Sequence, residues 1–321
     1  MKDLRFIDLF CGLGGFRIAL EQKWWKCIFS SDINKYTKEV YKLNFNEYPN
    51  DDITKIHEND IPEHDILCGG FPCQTFSVSG SKNGLNDKRG QLIHEIIRIA
   101  KHRKPKILLL ENVKGLKILE NGKNLNYILN LIEESGYVPN YYLLNSKDYN
   151  VPQNRERIYF VCIRKDLTDK IKTYEPIKEN KFTVISDILD NEIFIPSNLF
   201  TNRKNVKKWS IDIKKIPFIE KNCELIKIGS FKEGKTGLQG NSIYSINGIA
   251  PTVMSSDNIK KCNQHIMYDD KIRMLTLNET RKIMDFPESY KLPFNIKSYQ
   301  ALGNAVIPSM IKRIIDNIIF E

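Results

Sequence analysis

Along the first half of the chain, short apolar runs alternate with stretches in which apolar residues recur every three to four positions. Arg5–Phe10, Lys26–Ser31, Asp65–Cys68, Lys106–Leu110, Tyr141–Asn145 and Ile158–Ile163 have the length and branched-residue content of strands. Gly15–Gln22, Lys35–Asn44, Gly90–His102 and Asn124–Ser135 carry the period of amphipathic helices. Strands separated by helices imply βαβ units. The expected class is therefore α/β: a Rossmann-like, mainly parallel sheet with helices on both faces.

From about Asn180 the pattern weakens. Between Phe200 and Lys235 there are ten Lys/Arg against four Asp/Glu, and five glycines fall at 229, 234, 237, 240 and 248. Such a segment reads as a smaller, loop-rich module whose backbone can approach a partner closely. Order returns after Lys271, with helical patterns at Leu277–Met284 and Ser309–Ile319. The expected division is residues 1–184 and 272–321 for one domain, with 185–271 inserted as a second.

Composition narrows the class of partner. The 321 residues carry 49 Lys+Arg against 39 Asp+Glu, a net charge of +10, which favours a polyanion. No apolar run approaches the roughly 20 residues of a membrane span, and the amino terminus enters a strand directly, so a cytoplasmic protein without membrane attachment is expected. The seven cysteines form no CxxC pair and the five histidines have no zinc-like spacing, arguing against a disulfide framework and a metal site.

Several segments carry chemistry. FIDLFCGLGG (Phe6–Gly15) runs from a strand through a glycine turn into a helix, where Gly12 and Gly14 would let a nucleotide-like ligand meet backbone. Asp32, 20 positions beyond Gly12 at the end of the next strand, stands where a ribose is commonly held; its bland alternative is a helix cap. In GGFPCQTFSVSG (Gly69–Gly80), Cys73 lies just past a strand's carboxyl end, a place for a nucleophile, with a long loop behind it that suits a lid. LLLENV (Leu108–Val113) puts Glu111 at the end of an apolar strand, where a buried carboxyl holds its proton more tightly and suits an acid. In QNRERIYFV (Gln153–Val161), Arg155 and Arg157 are two apart, so extended backbone would turn both to one face as a fork.

In this order, FxGxG, PCQ, ENV and QxRxR resemble the cytosine-5 methyltransferases. RMLTLNETRKIMDFP (Arg273–Pro287) and QALGNAVIP (Gln300–Pro308) resemble that family's last two motif blocks, and the layout is similar to its small restriction–modification members. The resemblance implies the S-adenosylmethionine-dependent methyltransferase fold with a target-recognition domain. It implies methyl transfer from S-adenosylmethionine to C5 of a cytosine flipped from a specific duplex DNA site, through a covalent bond between cysteine and C6, with no metal. By position it makes Cys73 the nucleophile, Glu111 the acid, and Arg155 with Arg157 the polar fork. Phe10, Gly12, Leu13, Gly14, Asp32, Ile33, Asp52, Ile53, Gly70, Phe71, Leu92 and Asn304 would hold the cofactor.

Ser79, Gln239, Ser242 and Thr252 are the implied DNA contacts, with Ser79 and Gln239 filling the space the cytosine leaves. Three positions depart from the family pattern, one of them Ala305, where a serine is common. Ile33 stands where relatives place an aromatic ring on adenine, and Ser242 stands where an arginine can read guanine, so a different target sequence is expected. A monomer acting as the modification arm of a restriction–modification system is implied, with a cognate endonuclease as companion. A tRNA methyltransferase of the same family is the nearest alternative. A catalytically silent nucleic-acid-binding relative is another, disfavoured because the cysteine, glutamate and both arginines are present.

Overall fold

The structure, a computed structural model, describes residues 3–71, 92–191, 195–231, 239–256 and 264–321; the Arg203 and Gln239 side chains lie outside that description. The chain divides into two compact units, one comprising Met1–Leu144, Glu156–Ile177 and Pro308–Glu321, the other Asn145–Arg155 and Lys178–Ile307.

The first unit is built on β1 (Arg5–Leu9), β2 (Lys26–Ser31), β3 (Ile66–Gly70), β4 (Ile107–Val113), β5 (Tyr137–Val138), β6 (Tyr141–Asn145) and, after β7 (Gln153–Asn154), β8 (Glu156–Arg164). Their order is β2-β1-β3-β4-β8-β5, with β6 also on β8. The pairs β2-β1, β1-β3 and β3-β4 are parallel, and β8 runs antiparallel to both β4 and β5. The expected α/β architecture is present, and the parallel order ends where β8 reverses direction.

Helices α1 (Gly15–Glu21), α2 (Lys35–Phe45), α3 (Leu92–Arg103), α4 (Gly115–Ile118) and α5 (Lys123–Glu134) connect these strands. Period-2 alternation sends Ile7 and Leu9 of β1 to one face, where they join Ile93, Ile96, Ile128 and Ile132 in the main core. Phe6 and Asp8 point to the other face.

The second unit holds an antiparallel-rich sheet of β10 (Phe200–Thr201), β11 (Lys208–Trp209), β12 (Lys227–Ser230), β13 (Ser242–Ser245), β15 (His265–Tyr268) and β16 (Lys271–Met274). The short β14 (Ala250–Pro251) pairs in parallel with β7. This unit extends beyond both limits of the expected 185–271 module. At the carboxyl-terminal limit the reason is the β15–β16 hairpin: its Asp269 and Asp270 both adopt positive φ, 47° and 59°, the geometry of a tight two-residue turn. That hairpin weaves the chain after Lys271 into the same sheet, and α6 (Leu277–Ile283) and α7 (Ile296–Asn304) follow within the unit.

The chain returns to the first unit in α8 (Pro308–Asp316). The helix expected through Ile319 stops earlier, because Ile318–Phe320 forms β17 against β9 (Ile171–Thr173). No helix among the described residues is long and apolar enough to cross a membrane.

Candidate active site

In the first unit the strand order reverses at β1, with β2 on one side and β3 on the other. Ligands in open α/β sheets bind outside the carboxyl ends of strands at such a switch point. Phe10–Gly14, Asp32, Ile33, Gly70, Phe71 and Glu111 all lie at or just beyond those ends.

The turn after β1 is tight. Gly14 N–H donates to the Cys11 carbonyl at 2.7 Å, and Cys11 N–H donates to the Ser31 carbonyl of β2 at 3.0 Å. Phe10, Gly12 and Gly14 have φ of 56°, 52° and 74°. A left-handed residue with a side chain costs roughly 1–2 kcal/mol, so Phe10 is held there against its preference.

The two glycines serve different ends. A Cβ on Gly14 would stand 2.5 Å from the Phe45 ring and 3.1 Å from that of Tyr41, so packing within the protein requires its bare backbone. A Cβ on Gly12 would meet nothing nearer than the Phe10 carbonyl at 3.9 Å. Gly12 is therefore the place where an outside ligand can come close to backbone, and Leu13 between them is buried.

Asp32 links this turn to the next strand. One carboxylate oxygen accepts from Gly12 N–H at 2.8 Å; the other accepts from Asn34 N–H at 2.7 Å and the Thr37 hydroxyl at 3.2 Å. The cap of α2 is Asn34, which accepts from the backbone of Tyr36 and Thr37. A carboxylate has about four acceptor sites, so Asp32 keeps capacity for a hydroxyl.

Ile33 beside it is 76% exposed, a large apolar side chain left to solvent at the mouth of the switch point. Asp52 caps a short turn through the backbone and hydroxyl of Thr54, while Ile53 is buried in the main core. Phe71 is buried too, and its carbonyl accepts from the Asn112 amide at 3.3 Å; Leu92 opens α3 half-buried. The open approach at Gly12, the spare acceptor of Asp32 and the bare Ile33 surface together fit an adenosine-type group.

Behind the turn is a feature the sequence pattern did not flag. Asp8, in the middle of β1, is fully buried, and neither carboxyl oxygen has a side-chain hydrogen-bond partner among the described residues. Burial pushes its pKa up to about 8; Arg17 pulls the other way and Asp32 adds repulsion.

Glu111, near the end of β4, is 11% exposed and pairs with Arg157 of β8, whose Nε lies 3.0 Å from its Oε1. The antiparallel register sets this up: Val113 stands opposite Arg157 and Glu111 opposite Tyr159. Arg157 also donates to the Glu156 carbonyl at 2.8 Å, and the Glu156 carboxylate takes both its hydrogen bonds from Lys114. The carboxyl group is thus fixed in orientation at the mouth of the site.

Arg155 has a separate set of partners within the second unit, where the spacing had suggested a fork shared with Arg157. It is 3% exposed, and its guanidinium donates to the carbonyls of Val253, Gly303 and Ala305 at 2.9 to 3.3 Å. Gln153 accepts from Val253 N–H at 2.9 Å and donates to the Ile283 carbonyl at 3.3 Å. Asn304, between two of the carbonyls Arg155 holds, is exposed.

Among the expected DNA contacts, Ser242 is buried in β13 with its hydroxyl bonded to that of Tyr244, and so does not face an open surface as a base reader would. The Thr252 hydroxyl donates to the Asn154 carbonyl at 2.6 Å. Cys73 and Ser79 lie outside the described residues.

Comparison with known proteins shows the family to which the chain belongs. The family model described as C-5 cytosine-specific DNA methylase matches residues 4–320. The Type II methyltransferase M.HhaI of Haemophilus parahaemolyticus is 39% identical, covering 99% of this chain and 95% of that protein. M.HpaII of Haemophilus parainfluenzae is 35% identical over 95% of this chain and 86% of its own. Among solved structures, the Entamoeba histolytica methyltransferase EhMeth aligns with a TM-score of 0.73 at 21% identity, covering 99% of this chain and 98% of that one. Spodoptera frugiperda DNMT2 aligns with a TM-score of 0.71 at 20% identity, covering 98% of both chains. At such identity these two likenesses concern the fold alone.

Proposed function

Since the chain belongs to the C-5 cytosine-specific DNA methylase family, we propose a division of labour among its residues in methylating C5 of cytosine in DNA. The observation that carries it is the Glu111–Arg157 pair, near the carboxyl end of β4 and the amino end of antiparallel β8, on the edge of the sheet that also carries the glycine turn. S-adenosylmethionine supplies an electrophilic methyl group on a sulfonium. Gly12, Asp32 and Ile33 hold its adenosine: Gly12 by close backbone approach, Asp32 by its remaining acceptor site, Ile33 by apolar contact. Asn304 is assigned to the same cofactor on the resemblance.

Cytosine C5 is a poor nucleophile until something adds to C6. The Cys73 thiolate adds there, and the ring becomes an enamine with electron density at C5. Glu111 in its protonated form hydrogen-bonds N3 and offsets the charge developing on the ring. Arg157 orients Glu111 and acts on the base through that carboxyl. C5 takes the methyl group, a base removes the C5 proton, and the C6–S bond breaks to restore the ring and release Cys73. These atoms are unreachable in a stacked duplex, so the cytosine must leave the helix.

The exposed lysines Lys204, Lys207, Lys208, Lys214 and Lys215 hold DNA phosphates, and the glycine-rich strands after Lys227 read sequence. A cognate endonuclease protected against by this methylation is the implied companion.

The test uses duplex DNA of mixed sequence with 5-fluorocytosine replacing cytosine, because fluorine cannot leave as a proton does. With S-adenosylmethionine present, the wild-type protein should stay attached through denaturation and Cys73→Ala should not. Attachment by the Cys73→Ala variant would refute the nucleophile. Efficient attachment to tRNA with none to duplex DNA would overturn the polymer assignment.

A further inference from the structure

Arg155 reaches three carbonyls on two segments distant in sequence. Gly303 and Ala305 lie at the carboxyl end of α7, where helix carbonyls lack intrahelical partners and the dipole favours a cation. Val253 follows β14. These segments are pressed together: a Cβ on Gly303 would stand 2.4 Å from the Met254 carbonyl carbon and 2.5 Å from Ser255 N. Nothing larger than glycine fits, and the guanidinium fork then spans the junction.

The consequence falls on Asn304. Its two neighbouring peptide carbonyls are pinned by one planar group, which fixes the backbone on both sides and hence the direction in which its exposed side chain leaves. We propose that Arg155 is a positioning residue for Asn304, orienting a cofactor ligand. This rests on the reading of Asn304 as a holder of S-adenosylmethionine given above. Lysine cannot replace Arg155, because one ammonium cannot bridge carbonyls in a fixed planar array.

The experiment combines calorimetric titration of S-adenosylhomocysteine with steady-state methylation for the wild type, Arg155→Lys, Arg155→Gln, Asn304→Ala and the Arg155→Lys/Asn304→Ala double variant. Thermal melting serves as the fold control; if Arg155→Gln does not fold, Arg155→Lys carries the test. Arg155→Lys should raise the dissociation constant about tenfold, near 1.4 kcal/mol. The double variant should bind no more weakly than Asn304→Ala alone, because the two residues act in series. The KM for S-adenosylmethionine should rise in step, with kcat at saturation falling less than about threefold.

An unchanged dissociation constant with kcat down about a hundredfold would overturn the inference and return Arg155 to the base. Losses that multiply in the double variant would overturn it as well. If Asn304→Ala leaves binding unchanged, the inference and the Asn304 assignment fall together. Methyl transfer by the same preparations would then still support the enzyme's function.

Discussion

Asp8→Asn tests the electrostatics beneath the glycine turn. The wild-type carboxyl is fully buried, neither oxygen has a side-chain hydrogen-bond partner among the described residues, and burial pushes its pKa up to about 8 from an ordinary 3.8. Its folded-state pKa lies above the unfolded one, so between these values the folded chain keeps a proton that the unfolded chain releases. The stability associated with that proton is fully present below about pH 4 and is lost as pH rises to about 8. Four units at roughly 1.36 kcal/mol each give a loss of about 6 kcal/mol across the window. That is an upper limit, since a water molecule drawn in with the charge would recover part of it.

Asparagine carries no proton to lose. The unfolding free energy of Asp8→Asn minus that of the wild type should therefore climb with pH, by up to about 1.4 kcal/mol per unit, and level off above pH 8. The offset at pH 5 is not diagnostic, because a buried amide without partners has its own cost of roughly 1–3 kcal/mol. The slope is diagnostic. Urea unfolding of both proteins at pH 5, 6, 7 and 8 measures it, with other titrating groups cancelling at each pH and the dependence on urea concentration expected to match. A difference that stays flat across that range would falsify the claim that Asp8 is buried and protonated.

Three further outcomes follow from the site. Gly14→Ala should destabilise the protein by about 2–4 kcal/mol through backbone strain and collision with Phe45, whereas Gly12→Ala should cost about 1 kcal/mol and chiefly weaken S-adenosylhomocysteine binding; melting and calorimetry separate the two, and equal losses would sink the distinction. Glu111→Gln should slow methyl transfer by about 10²–10⁴-fold, and adding Arg157→Ala should slow it little further, since the arginine acts through that carboxyl; rate losses that multiply would show independent roles. Neutralising Lys207, Lys208, Lys214 and Lys215 together should weaken binding to every DNA sequence alike and flatten the salt dependence by up to about 0.9 for each phosphate left without its lysine; a changed target preference with an unchanged slope would contradict the phosphate assignment.

The parallel half of the sheet was legible because each strand there is a short apolar run buried on both faces, bounded by glycine or polar residues, and β1 to β4 sit within a few residues of their expected spans. The short strands β5, β9 and β17 were not, because two or three residues carry no period and are strands only by virtue of their partners. The edge of the second unit was misplaced for a related reason: composition changes near Lys271, but the chain there is the turn of a hairpin, and hydrogen bonds rather than charge decide which sheet it joins.

The site divides along the same line. Asp32 shows its acidic type and its place after a strand, yet its bond to Gly12 spans 20 residues and can be seen only once the strands are side by side. Gly12 and Gly14 look alike in CGLGG, but one is bare because Phe45 needs the room and the other faces open space. Arg155 and Arg157 carry the sharpest case. Two residues of extended backbone turn both to the same side, and local geometry ends there. What each guanidinium does depends on partners elsewhere in the chain: a carboxylate 46 positions before Arg157, and carbonyls 148 and 150 positions after Arg155. An arginine is a five-donor fork whose function is set by what accepts from it. On the reading proposed above, a carboxylate at a strand's mouth would make Arg157 part of the chemistry, and backbone carbonyls at a helix end would make Arg155 part of the frame that holds Asn304 still.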